Sequence, residues 1–322
     1  MRAAEELTTL QQRAEQGEGA TQDAKQAVAR LRKAAEQAVA WYQQGVAECQ
    51  YNLGVNYANG KGVTQDAKQA VVWYRKAAEQ GYAGAQNNLG VSYANGKGVT
   101  QDYQQAVAWF RKAAEQGDAG AQNNLGISYA KGEGVTQDAK QAVAWFRKAV
   151  EQGDAGAQNN LGASYANGKG VTQDAKQAVA WLRKAAEQGD AGAQNNLGIS
   201  YAQGKGVAQD AKQAVVWYRK AAEQGDAGAQ NNLGISYAQG KGVAQDAKQA
   251  VVWYRKAAEQ GDAEAQYNLG ISYAKGKGVT QDYQQAYAWL SVAAANGYSG
   301  ASEPRDLTAK KLPNPNLRVR RG

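Results

Sequence analysis

The sequence predicts an all-α fold, a right-handed α-solenoid of about seven 36-residue helix-turn-helix repeats plus a degenerate N-terminal cap repeat. Three observations predict it. A block recurs with a period of 36 residues, and its copies start at Ala47, Ala83, Ala119, Ala155, Ala191, Ala227 and Ala263. Within each copy the apolar residues return at helical spacing rather than in the alternation of a strand. Asp and Gly then punctuate every copy at the same places, as helix starts and stops do.

The elements follow in chain order. Residues 1–46 read as an N-terminal capping repeat, because Gly17 to Arg30 matches the second half of a repeat, with Arg30 standing where a Trp is expected. Residues 47–298 hold the seven tandem copies, and the tryptophans keep the period from Trp73 to Trp289. In the copy at 119, Asp118 is a good N-cap for a first helix running to about Ala130. Leu125, Gly126 and Tyr129 form one stripe of it. A mid-helix glycine costs about 1 kcal/mol relative to alanine, so its recurrence implies a neighbouring helix packed too close for a side chain. Gly132 and Gly134 break the helix, Val135 plugs the turn into the core, and Thr136 or Asp138 caps the second helix. That helix carries Ala142, Trp145, Phe146, Ala149 and Val150 at the spacing of one buried face, and Gly153 ends it. A single pair cannot bury its stripe alone, so stacking of neighbours supplies the core. Residues 299–322 read as a short cap segment and a basic tail that contains all three prolines.

Composition excludes several chemistries. The 322 residues contain no His and one Cys, so no Ser-His-Asp or Cys-His nucleophile, imidazole metal site or intramolecular disulfide can be assembled. No metal or cofactor is expected. The net charge of +8 divides unevenly: residues 1–46 sum to zero, the seven repeats to +4, and the last 24 residues alone to +4. A near-neutral body with a basic end argues against nucleic acid as the main partner. No segment is long and apolar enough to span a membrane. As the sequence stands it reads as cytoplasmic, and an upstream signal peptide would move it to the envelope or outside the cell.

The repeated string, A-x-A-Q-x-N-L-G-x-x-Y-x-x-G-x-G-V-x-x-D followed by A-x-x-W-x-x-K-A-A-x-x-G, resembles the Sel-one-like repeat of bacterial proteins, a relative of the tetratricopeptide repeat. The resemblance covers residues 47–298 and implies a scaffold for protein complexes. By likeness to the tetratricopeptide arrangement, positions 120, 123, 127, 130 and 131 of a repeat point to a concave surface. The candidate partner-binding residues are therefore two ladders. One runs Tyr51, Asn87, Asn123, Asn159, Asn195, Asn231 and Tyr267; the other runs Asn95, Lys131, Asn167, Gln203, Gln239 and Lys275. Carboxamides donate and accept together, which suits the backbone of a peptide. Between them runs an aliphatic series from Val55 to Ile271. The function expected is a non-catalytic scaffold that binds a peptide or protein partner. The invariant Asn124 series reads as structural, and Cys49, in the slot of Ala85, as a small buried residue.

The alternative is a hydrolase of β-lactams or peptidoglycan. Ser128-Tyr-Ala-Lys131 and Ser272-Tyr-Ala-Lys275 spell the S-x-x-K of serine β-lactamases. Near-identical repeats, however, give ladders of one group rather than different groups converging on one point. No catalytic residue is expected.

Overall fold

The computed structural model describes residues 25–31, 33–34 and 47–312, and every regular element among them is helical. The chain divides into two compact units, Met1–Ala157 and Gln158–Gly322. The first holds α1 (Ala47–Asn59), α2 (Ala67–Glu79), α3 (Ala83–Asn95), α4 (Tyr103–Glu115), α5 (Ala119–Lys131), α6 (Ala139–Glu151) and the start of α7 (Ala155–Asn167). The second holds the rest of α7, then α8 (Ala175–Glu187), α9 (Ala191–Gln203), α10 (Ala211–Glu223), α11 (Ala227–Gln239), α12 (Ala247–Glu259), α13 (Ala263–Lys275) and α14 (Tyr283–Ala295). A 3-10 turn at Ser299–Ala301 and α15 (Ser302–Ala309) close it. Of the expected N-terminal cap, residues 25–31 and 33–34 are helical, with Val28 and Leu31 buried. The rest of that cap and the basic end of the tail lie outside the described residues.

In the first unit the pair α5–α6 shows why the repeat folds as it does. Asp118 Oδ1 accepts from the Ala121 N–H at 2.7 Å and starts α5. Gly132 ends it at φ 76°, its N–H donating to the Ser128 carbonyl. Two residues on, Gly134 also has positive φ, and a Cβ there would lie 2.1 Å from the Tyr103 carbonyl oxygen. The turn therefore packs directly on the start of α4, and only glycine satisfies both constraints. Of the two caps the sequence offered for α6, Asp138 performs it, accepting from the Lys140 and Gln141 N–H groups at 2.9 and 3.0 Å. Gln137 Nε2 ties the turn to the Ala130 carbonyl at 2.8 Å.

The two helices of this pair approach closely, as the mid-helix glycine implied. A Cβ on Gly126 would stand 2.5 Å from Phe146 Cε1, and Leu125 beside it is fully buried. The buried face of α6 is Ala142, Val143, Phe146 and Ala149. This corrects two expectations: Trp145 and Val150 are only half-buried, whereas Val143 joins the core. Trp145 instead reaches back one repeat, to pack against the cluster built from Ala106, Phe110 and Leu125, and Lys148 Nζ sits 4.0 Å above its ring. The tryptophan is thus a seal between repeats, with its outer face covered by a lysine stem.

The second unit repeats this geometry. Its cluster of Ala214, Val215, Tyr218 and Leu233 takes Trp253 from the following repeat, and the cluster of Ala250, Tyr254 and Leu269 takes Trp289. Residues 191–226 and 227–262 are identical at every position. After Tyr298 the pattern degenerates: the 3-10 turn keeps Ala301 buried, but α15 places Arg305 and Asp306 where earlier repeats have Leu and Gly. Those changes put charged groups on α15 beside an exposed Leu307.

Candidate partner-binding face

Each first helix is held by two neighbours, and what remains half-exposed on it is the face that carries the candidate residues. Tyr51, Asn87, Asn123, Asn159, Asn195 and Tyr267 are half-buried there, and so is the aliphatic series between them. The second ladder, Asn95, Lys131, Asn167, Gln203, Gln239 and Lys275, closes these helices and is exposed. Asn167 turns its Nδ2 back to the Ala163 carbonyl at 2.9 Å. Lys131 makes a loose, solvated ion pair with Glu133 at 3.7 Å.

The first ladder is bonded into the stack. Asn124 Nδ2 donates to Asn87 Oδ1 at 2.9 Å. In the second unit Asn196 meets Asn159 at 3.0 Å, Asn232 meets Asn195 at 2.9 Å, and Asn268 meets Asn231 at 3.1 Å. The structural hydrogen bond expected of the Asn124 series therefore has the candidate ladder itself as acceptor. Each bond fixes a carboxamide: Asn87, Asn159 and Asn195 have Oδ1 occupied and keep Nδ2 to donate. Asn231 departs from the expectation. It is 3% exposed, and the next repeat carries Glu264 where the others have a glycine packed on this very side chain, so Asn231 offers nothing to a partner.

A second polar ladder escaped the sequence reading. Gln122, 5% exposed, accepts from Gln152 Nε2 at 2.9 Å and donates to the Ala114 carbonyl at 3.2 Å. The same arrangement joins Gln194 to Gln224 and Gln230 to Gln260 in the second unit, each at 2.8 Å. A glutamine that recurs unchanged within an otherwise apolar stripe was the available signal. Outward of it, Arg219 Nη2 donates to the Tyr237 hydroxyl at 3.0 Å, clipping α10 to α11. Cys49 is buried, as its alanine slot implied, and burial followed by the charge of Glu48 pushes its thiol up.

The S-x-x-K serines are not poised nucleophiles. Ser128 Oγ donates to the Asn124 carbonyl at 3.1 Å and Ser272 Oγ to the Asn268 carbonyl at 2.8 Å, both one turn back in their own helix. Ser92 makes the same bond at 2.9 Å in a repeat whose fourth position is Asn95. The serine environment is thus indifferent to the lysine. Among the described residues no three of His, Cys, Asp and Glu come together as a metal would need. A hollow of about 400 Å³ at the first turn is lined by Tyr57, Val63, Asp66 and Gln69, and Asp66 there is engaged in capping α2.

Stacked helix pairs joined by polar ladders define each unit as a run of tandem helical repeats. The Sel1 repeat family matches residues 14–39, 31–45, 47–82, 83–118, 119–154, 155–190, 191–226, 227–262 and 263–298, and the chain belongs to that family. Proteins of this family are generally protein-interaction scaffolds. A Sel1 repeat protein from Oxalobacter formigenes is 34% identical over 92% of this chain and 88% of its own, with a TM-score of 0.63. The protective antigen c5321 of uropathogenic Escherichia coli strains, which displays the same fold, is 33% identical over 97% of this chain and 92% of its own, with a TM-score of 0.53. Among curated proteins none matches. No helix of the described residues is long and apolar enough to cross a membrane.

Proposed function

We propose that this chain is a non-catalytic scaffold that captures an extended or helical segment of a protein partner along the half-exposed face of its first helices. One observation carries the reading: the carboxamides of Asn87, Asn159 and Asn195 stay half-buried on this face, each with Oδ1 held by a bond from the following repeat and Nδ2 lying over that repeat's glycine. Oriented donors lose little freedom on binding, and backbone carbonyls of a partner are their natural acceptors. The aliphatic series beside them supplies apolar area, and the exposed ladder from Asn95 to Lys275 forms the rim. In this reading residues 1–46 cap the stack, residues 47–298 carry the binding face, and residues 299–322 close it and end in the basic tail.

Charge substitution at the asparagines would also break the ladder, so a test should leave them intact. A photo-crosslinking residue placed at exposed Lys131 or Gln203 should trap the same partner in the native cell, while one at exposed Lys140 or Lys212, on the second helices, should not. Equal trapping from both faces would overturn the assignment.

A further inference from the structure

Three positions of the repeat change together. Five repeats carry Gly, Asn and Asp at them, as in Gly120, Asn123 and Asp154; the repeats at 47 and 263 carry Glu48, Tyr51 and Tyr82, and Glu264, Tyr267 and Tyr298. No intermediate combination occurs, although other positions drift singly. The structure shows why the three belong together. In the first unit Glu48 and Tyr51 lie one turn apart on α1, and Tyr82 closes on Tyr51 with ring centroids 5.1 Å apart and planes tilted by 39°. In the second unit Glu264 and Tyr267 occupy α13 in the same way, and Tyr298 meets Tyr267 at 4.8 Å and 30°.

The ring pairs are half-buried and both glutamates are exposed. A small residue floors each pair: a Cβ on Gly84 would come within 3.1 Å of Tyr82 and 3.6 Å of Tyr51, and one on Gly300 within 3.1 Å of Tyr298. Each pair also forgoes a bond. Asp118, Asp226 and Asp262 cap the helices that follow them, whereas Tyr82 and Tyr298 accept no cap hydrogen bond. Both phenols are pushed up, first by burial and next by the charge of Glu48 or Glu264, so each carboxylate acts on its ring pair.

We propose that each Glu–Tyr–Tyr group is a binding site for an arginine side chain of the partner. Aromatic faces attract a cation through their quadrupole, and the planar guanidinium both stacks on a ring and pairs with a carboxylate. The full charge of the glutamate outweighs the partial positive charge of the helix start behind the rings. The proposal rests on the scaffold reading for the partner being a protein, and adds the chemistry by which it is held.

The test uses the full chain with ¹³C-labelled tyrosine rings, titrated with acetyl-Gly-Arg-Gly-Arg-Gly-amide, with its citrulline counterpart and with tetramethylammonium. The arginine peptide should shift the rings of Tyr51, Tyr82, Tyr267 and Tyr298, about tenfold more tightly than the citrulline peptide, and more weakly as salt rises. The triple change E48G/Y51N/Y82D installs residues that the fold already accepts in five other repeats and restores a helix cap. It should erase the first site and spare the second. The converse change G120E/N123Y/D154Y should create a third site, and Glu48→Gln alone should weaken the first while leaving both rings in place. Absent ring shifts, equal binding of the citrulline peptide or tetramethylammonium, or shifts at Tyr267 that vanish with the first-site triple would overturn the proposal. Crosslinking from Lys131 and Gln203 that persists alongside such a failure leaves the scaffold reading standing and removes only this one.

Discussion

Gly198 sits in the middle of α9, where alanine would be the better helix former by about 1 kcal/mol. If the site had room, Gly198→Ala would therefore stabilise the protein. It has none: the new Cβ would lie 2.6 Å from Cδ1 and Cε1 of Tyr218 and 3.2 Å from the Ala214 carbonyl oxygen. Tyr218 is itself buried, so the ring cannot swing aside, and overpacking of this kind costs about 1–3 kcal/mol. The net expectation is destabilisation by about 1 kcal/mol. Gly162→Ala is the internal control. There the neighbour is Leu182, whose Cγ and Cδ2 lie 2.9 and 3.0 Å away, and a flexible branched chain yields more readily than a ring. Gain and cost should nearly cancel at that site. Pairing Gly198→Ala with Tyr218→Leu reproduces the Gly162 environment, and the double-mutant cycle should return about 1 kcal/mol of coupling. Urea unfolding followed by helical circular dichroism measures the parent, Gly162→Ala and the three proteins of the cycle alike. Because stacked repeats need not melt as one unit, amide exchange within α9 and α10 should accompany it. Greater stability of Gly198→Ala than of the parent would refute the close-packing argument, as would equal effects at positions 198 and 162.

Three other outcomes are expected. Trp217→Ala, which removes a half-buried ring covered by Lys220 at 4.3 Å, should cost about 2 kcal/mol, below the 3–5 kcal/mol of a fully buried tryptophan, by the same urea assay. Gln230→Ala removes the main acceptor of the Gln260 amide, which keeps a long bond to the Lys256 carbonyl, and the side-chain donor to the Ala222 carbonyl, which keeps the Gly225 N–H; it should cost about 1 kcal/mol, with faster amide exchange in the flanking turns as the local sign. Burial pushes the phenols of Tyr218 and Tyr254 up to about 12. Their neutral forms belong to the folded state, so the stability they contribute is intact below pH 10 and is lost between pH 10 and 12; Tyr218→Phe should flatten that decline, and an unchanged alkaline profile would contradict it.

Helix limits, the caps at Asp118 and Asp138 and the tight approach at Gly126 were legible in the sequence, because each depends on one helix pair and the residues next to it in the chain. Contacts between repeats were less so. Asn87 and Asn124 were assigned opposite roles, one toward a partner and one toward the fold, yet they form a single bond across 37 positions. Periodicity tells which face a residue occupies and not what the adjoining copy presents to it. The same gap hid Gln122, whose partners lie in Gln152 and Ala114. It also made Trp145 look buried, since an amphipathic stripe does not reveal that the ring slides back over the preceding helix pair. Asn231 could not be separated from its ladder until the neighbouring Glu264 was seen to stand where the others leave a glycine. The Glu–Tyr–Tyr groups were half visible, as two tyrosines ending an asparagine series, but only spatial adjacency ties the third residue to them.

The identity of residues 191–226 and 227–262 has a consequence for recognition. A partner laid along two repeats of one sequence meets nearly the same surface twice, and only the neighbouring copy tells them apart, because Asn195 stays half-exposed while Asn231 is buried beside Glu264. Alignment then falls to the positions that break the monotony, and a segment with its basic residues at the wrong spacing would be held but not seated.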